Sequence, residues 1–211
     1  MRIVCISDTH ELHREISIPN GDLLIHGGDI AFSQNRRQLS VLRDFNDWLG
    51  ELPHRHKIVI PGNHDSVLFD SKNRSLLKNA TLLVNTAITI DGIQIWGSPV
   101  TPLPGEPFGM PDAADRRNLW TRIPQDTDIL VTHCPPYGIL DQESGDDAHQ
   151  GCEELRDTVL RVRPRLHIFG HVHGSYGTLR MPDTLSVNAS MLDELGGVER
   201  RPVVVPDFKA K

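Results

Sequence analysis

Short apolar runs recur along the chain, and each ends in a polar, turn-forming segment. Ile3–Ile6, Leu23–Ile25, Ile58–Ile60, Ile129–Val131 and Leu166–Phe169 are continuous rather than alternating, the pattern of strands buried on both faces. Between them the period changes. Leu39, Leu42, Phe45, Trp48, Leu49 and Leu52 fall near helical spacing and predict an amphipathic helix over Arg36–Leu52. Leu155, Val159, Leu160 and Val162 predict a second over Glu153–Arg163, ended by Pro164. Period-two alternation on both sides of Asp91-Gly92, within 87–96, predicts a β-hairpin. Leu185–Val187 and Val203–Val205 add two more strands, and the proline-rich stretch 99–111 predicts an irregular rim loop, a pocket wall or a plain connector. Together these elements make one mixed α/β layered domain over residues 1–211.

Composition narrows the classes. A chain of 211 residues is long enough for one sizeable core. Mean hydropathy is −0.31 and no apolar run approaches the ~20 residues of a membrane helix, so a transmembrane protein is excluded. The first residues run from a short apolar stretch straight into Ser7-Asp8, which reads as a strand and not as a signal peptide. Three cysteines at unrelated spacings predict reduced, buried thiols in a cytoplasmic protein. A net charge of −6 argues against a large basic surface for extended nucleic acid, though bound metal ions could reverse the sign locally for a small phosphate ester. The unusual count is histidine: eleven, as many as Phe, Trp and Tyr combined.

The chemistry sits where the strands end. Ser7-Asp8-Thr9-His10 follows the first run, His26-Gly27-Gly28-Asp29 the second, and Pro61-Gly62-Asn63-His64-Asp65 the third. Thr132-His133-Cys134 and Gly170-His171-Val172-His173 follow the next two. Open α/β sheets bind ligands outside the carboxyl ends of their strands, so five such ends would build one convergent polar site. Each fragment alone reads more simply as a turn or an ordinary strand end; five in order, each closing an apolar run, do not. Asp8, His10, Asp29, Asn63, His133, His171 and His173 offer carboxylate, imidazole and amide oxygen, enough for two metal ions sharing one carboxylate. Mixed oxygen and nitrogen donors suit manganese, iron or zinc better than calcium. Two metals side by side are a standard device for in-line displacement at phosphorus by a bridging hydroxide. Gly27, Gly28, Gly62 and Gly170 would let the backbone turn close to the ions.

In this order the motifs resemble the calcineurin-like metallophosphoesterase superfamily: Asp8/His10, Gly28-Asp29, Gly62-Asn63-His64-Asp65, His133, and Gly170-His171-Val172-His173. Asn46-Asp47-Trp48-Leu49-Gly50, Thr132-His133 with Pro135-Pro136, and Arg163-Pro164-Arg165-Leu166-His167 are similar to the small metallophosphoesterase-domain phosphodiesterases. That resemblance implies a four-layer α/β/β/α sandwich of two mixed sheets flanked by helices. It also implies a first metal on Asp8, His10, Asp29 and His173, and a second on Asp29, Asn63, His133 and His171. His64 would protonate the leaving oxygen and Asp65 would orient His64. The implied cofactors are two transition-metal ions, manganese foremost in vitro. The implied substrate is a small phosphodiester, with cyclic nucleotides (2′,3′ or 3′,5′) first. No membrane or extended nucleic acid is expected as partner; a homodimer is left open. A phosphomonoesterase or nucleotide pyrophosphatase is the nearest alternative, ahead of a non-catalytic scaffold or a nuclease.

Other residues read more plainly. His13, His54, His56 and His149 lie in polar stretches and predict surface side chains, while His167, inside a strand, predicts a core position. His26 and Asn188 are candidates to support the ligands from behind. Trp96, Phe108, Trp120 and Tyr137 flank rim loops and could stack on a base. Cys134 follows His133 directly, where a packed small residue is the simplest reading.

Overall fold

The computed structural model describes residues 1–32 and 37–211. In chain order its strands are β1 Ile3–Ile6, β2 Leu23–His26, β3 His56–Val59, β4 Thr81–Leu82, β5 Thr86–Ile90, β6 Ile93–Ser98, β7 Ile129–Thr132, β8 Leu166–Phe169, β9 Gly177–Arg180, β10 Leu185–Asn188 and β11 Val203–Val205. The α-helices are α1 Gln38–Glu51, α2 Ser66–Phe69, α3 Ala113–Thr121 and α4 Glu153–Val162.

Two sheets result, ordered β11-β1-β2-β3-β4 and β5-β6-β7-β8-β10-β9. β1 to β4 pair parallel, as do β6, β7, β8 and β10. Antiparallel β11, β5 and β9 close three edges. Parallel pairing aligns strand ends, so the segments after β1, β2 and β3 emerge together, as do those after β7, β8 and β10.

Side-chain alternation explains why the central strands read as unbroken apolar runs. Ile3, Cys5, Leu23, Ile25 and Ile58 point into the layer between the sheets and meet Ile95, Ile129, Val131, Ile168 and Val187. Val4, Ile6, Leu24 and Val59 point the other way, onto Leu42, Phe45, Trp48 and Leu49 of α1. On the far side, Trp96 and Leu130 pack against Leu119 and Trp120 of α3 and Leu155, Val159 and Val162 of α4. Each fully buried aliphatic side chain contributes roughly 1.5–3 kcal/mol. The expected α/β/β/α sandwich is the observed one.

The differences are local. β3 starts at His56 because its register with β2 pairs His56 with Leu23, ahead of the purely apolar stretch. Of the first predicted helix, Arg36 lies outside the described residues and α1 begins at Gln38; Gln38 takes an inward position and leaves Leu39 exposed. α4 stops at Val162 because Arg163, ahead of Pro164, turns into the left-handed region (φ 52°), and Leu160 faces out. β4, β9 and α3 have no counterpart in the sequence reading. α3 buries few apolar residues, and its start is set by Asp112, which accepts hydrogen bonds from the Ala114 and Asp115 amides. The hairpin turns at Asp91 and Gly92, both at positive φ (48° and 80°), the two-residue type whose twist matches paired strands. Among the described residues no helix is long and apolar enough to cross a membrane.

Candidate metal centre

The two sheets meet at one edge. Ser7, just past β1, forms a parallel bridge with Ser190, just past β10, and the His133 Nδ1–H donates to the Gly27 carbonyl across the sheets at 2.9 Å. Asp8, His10, Asp29, Asn63, His133, His171 and His173 come together at this edge. Their donor atoms gather in two groups, Asp8 with His10 and His173, and Asp29 with His133 and His171, each within 4.8 Å.

Asp29 lies between the groups. Its Oδ2 is 3.3 Å from His133 Nε2 and 3.8 Å from His10 Nε2, with His64 Nε2 at 3.9 Å. Asn63 joins the second group: its Oδ1 is 2.9 Å from His133 Nε2. The Asp8 carboxylate accepts from the His171 amide and lies 3.5 Å from His173 Nε2.

The backbone commits these side chains inward at a cost. Asp8, His10, Asp29 and His171 all hold positive φ (52°, 39°, 57° and 69°), a region that β-carbon-bearing residues rarely occupy. Such strain persists only where surrounding structure overdetermines it, and it clusters at functional sites. The glycines are needed for room. A Cβ on Gly170 would collide with the Asp8 carboxylate and the Ser7 hydroxyl, and one on Gly62 with the Asp29 carboxylate.

The donor set fits divalent metal ions. Three of the imidazoles share one arrangement: Nδ1–H of His133, His10 and His173 faces the carbonyl of Gly27, Ala31 and Asp193, at 2.9, 3.3 and 3.3 Å. That anchors each ring and turns its Nε2 toward the carboxylates, the usual support of a metal-bound histidine. Among the described residues, the ion pairs of Asp8 and Asp29 are all with imidazoles. Burial pushes the Asp29 carboxyl up, but the charge and hydrogen bond of His133 outweigh it and hold it at about 2. Burial pushes His133 down, yet Asp29 and Asp8 lift it to about 9. His171, where burial dominates, falls to about 4. Two buried carboxylates kept ionised beside crowded imidazoles are a cation-binding environment.

A family model for the calcineurin-like phosphoesterases matches residues 1–175. The chain belongs to that family. The phosphoesterase is 39% identical over 217 residues to the human metallophosphoesterase domain-containing protein 1, covering 90% of this chain and 66% of that protein. It is 36% identical over 220 residues to a UPF0046 protein of Caenorhabditis elegans, covering 97% and 74%. It therefore spans two thirds to three quarters of these relatives. TT1561 of Thermus thermophilus superposes with a TM-score of 0.56 at 14% identity, over 89% of this chain and 88% of that one, a likeness of fold. Another crystal structure reaches a TM-score of 0.68 at 17% identity, covering 89% of each chain. The family's reaction class is hydrolysis of phosphoester bonds.

Around the phosphoesterase centre, several residues stand elsewhere than their sequence neighbourhoods predict. Asp65 is fully buried and accepts from the Ile30, Ala31 and Gly62 amides, which ties the turns after β2 and β3 together. Burial and the nearby Asp29 push the Asp65 carboxyl up to about 7. His13 and His54 are buried, not on the surface: His13 pairs with Asp44 at 2.9 Å and His54 Nε2 meets the Pro19 carbonyl at 3.1 Å. His149 is half-buried, 2.7 Å from the buried Asp141. His26 accepts from the Gly28 amide through Nδ1 and meets Thr9 Oγ1 with Nε2, bracing the two turns that carry Asp8 and Asp29. His167 is a core residue, as expected. Trp96, Trp120 and Phe108 are buried and unavailable to a base, and Tyr137 packs on His149 and under Arg156. Cys134 is buried and free, as are Cys5 and Cys152.

Sequence reasoning missed Ser190 and Gln38. Ser190 Oγ lies 3.0 Å from Asp8 Oδ2 and 2.9 Å from Asn188 Oδ1. The apolar run ending at Asn188-Ala189-Ser190 carried that signal; for Gln38 there was none.

Proposed function

We propose that this phosphoesterase is a two-metal phosphodiesterase acting on small phosphodiesters, cyclic nucleotides (2′,3′ or 3′,5′) first, in the cytoplasm. The observation that carries the reading is Asp29: one carboxylate oxygen within 4 Å of imidazoles from both donor groups, where a bridging ligand belongs. Asp8, His10, Asp29 and His173 would hold one ion, and Asp29, Asn63, His133 and His171 the other. When bound, the pair, manganese foremost, supplies Lewis acidity toward the phosphoryl oxygens and toward water.

The chain's own residues do the rest. His64, its side chain about one-third exposed and 3.9 Å from Asp29 Oδ2, stands at the mouth of the site and donates a proton to the departing oxygen. Its backbone N–H donates to Asp29 Oδ1 at 2.8 Å, so bridge and acid are positioned together. Asp65 positions the His64 turn through the amides it binds. The acidic balance of the chain favours a small substrate over a polyanion, and the three buried free thiols suit a reducing compartment.

The test strips the protein of metal, reloads it with Mn²⁺, and compares bis(p-nitrophenyl) phosphate with p-nitrophenyl phosphate, with Asp29→Ala in parallel. Metal-dependent diester turnover that disappears in Asp29→Ala is the expected result. A preference for the monoester would overturn the diesterase reading in favour of a phosphatase. Two metals bound with neither ester cleaved would also overturn it.

A further inference from the structure

Phe32 is an exposed aromatic side chain (48%) lying directly against the centre. Its ring stacks on His10, centroids 4.7 Å apart and planes 18° from parallel. Among the described residues it is the one Phe, Tyr or Trp ring that packs on a proposed ligand imidazole. His10 also meets His64, centroids 5.1 Å apart and planes at 86°. Phe32 and His64 therefore both pack on the same imidazole.

Gln38 makes that pairing rigid. The side chain is buried, and its amide uses its full capacity. Nε2 donates to the Phe32 carbonyl at 2.7 Å and to the His64 carbonyl at 2.9 Å. Oε1 accepts from Ser66 Oγ at 3.0 Å and from the Val67 amide at 3.1 Å. One buried amide thus holds the backbone of the aromatic ring and of the proposed proton donor side by side. An aromatic ring backed by His10 and anchored at its carbonyl is already in place for a flat partner, so stacking requires little further ordering.

We propose that Phe32 is the specificity-determining platform for the leaving group, stacking the base of a nucleoside phosphodiester on the side where His64 protonates the departing oxygen. This deepens the proposed function and rests on its assignment of His64. The ligand class is a phosphate ester whose alcohol carries a planar heteroaromatic ring. Esters of the same phosphate geometry without a ring would be poorer substrates.

The test uses the Mn²⁺-loaded full chain and two readouts. Equilibrium binding of adenosine 3′-monophosphate is compared with that of inorganic phosphate, and kcat/KM for 2′,3′-cyclic AMP with that for 1,2-cyclic glycerophosphate. In Phe32→Ala, nucleotide binding and the preference for the cyclic nucleotide should both fall about five-fold to a hundred-fold, with phosphate binding unchanged. Phe32→Trp should restore both. Equal weakening of nucleotide and phosphate would mean that the ring only shields His10, and would overturn the proposal. So would an unchanged Phe32→Ala, or a wild type that binds the nucleotide no more tightly than phosphate. Should neither cyclic ester be cleaved, the diesterase reading fails, and the binding arm still decides the role of Phe32.

Discussion

Ser190 Oγ, on the segment after β10, lies 3.0 Å from Asp8 Oδ2, on the segment after β1, and so ties one sheet to a proposed metal ligand of the other. The same hydroxyl is 2.9 Å from Asn188 Oδ1, and Asn188 Nδ2 is fixed by the Val172 and Leu140 carbonyls. The Asp8 carboxylate is therefore oriented by a chain of buried partners. Ser190→Ala removes that restraint and leaves no large cavity. Metal affinity should weaken by roughly ten-fold to a hundred-fold, the usual cost of losing a partner behind a ligand. Metal content after dialysis against a graded chelator measures it; full retention of both ions would refute the role.

His64→Ala should separate binding from proton transfer. Its backbone amide stays on Asp29, so metal content should not change. Turnover of esters with poor, alkyl leaving groups should fall by about 10²–10⁴, the usual contribution of a positioned acid. Turnover of p-nitrophenyl esters, whose leaving group needs no proton, should fall far less. Equal losses on both substrates would count against proton donation.

Gly170→Ala should damage the centre by crowding. The added methyl has nowhere to go but into the Asp8 carboxylate and Ser7 Oγ. A loss of roughly 1–3 kcal/mol in stability is expected, together with weaker metal binding at the Asp8 group. Chemical denaturation with and without Mn²⁺ gives both quantities. The same change at Gly105, where a Cβ meets nothing, controls for glycine removal, although its positive φ (78°) adds strain of its own.

His167 predicts acid sensitivity independent of metal. It is buried in β8, its Nε2 meets Thr132 Oγ1 at 2.8 Å, and Nδ1 has no hydrogen-bond partner among the described residues. Burial pushes its pKa from 6.5 down to about 3, so the folded chain resists the proton that the unfolded chain accepts. Below pH 6.5 the unfolded state binds more protons, and stability falls as pH drops from 6.5 toward 3. At pH 5 this group alone accounts for roughly 2 kcal/mol relative to neutral pH. His167→Gln should flatten the pH dependence of stability across that window by a comparable amount; an unchanged slope would refute the assignment.

The sequence by itself determined most of the strands, two of the helices and the kinds of donor. Continuous apolar runs marked β1, β2, β7 and β8 because hydrophobic period is local, and the residues capping each run supplied the proposed ligands because strand ends are where such sheets bind. What the tertiary structure alone decided depends on partners distant along the chain. Ser190 and Asp8 are 182 residues apart, and His133 and Gly27 are 106 apart. No local pattern encodes such pairs, nor that four proposed ligands adopt left-handed backbone. His13 and His54 read as surface because their neighbours are polar, yet α1 covers one and the Pro19 carbonyl receives the other. Phe32 and Gln38 carry no motif at all. Their roles exist only because folding brings the turn after β2, the start of α1 and the His64 turn to one point, where a single buried amide can reach all three.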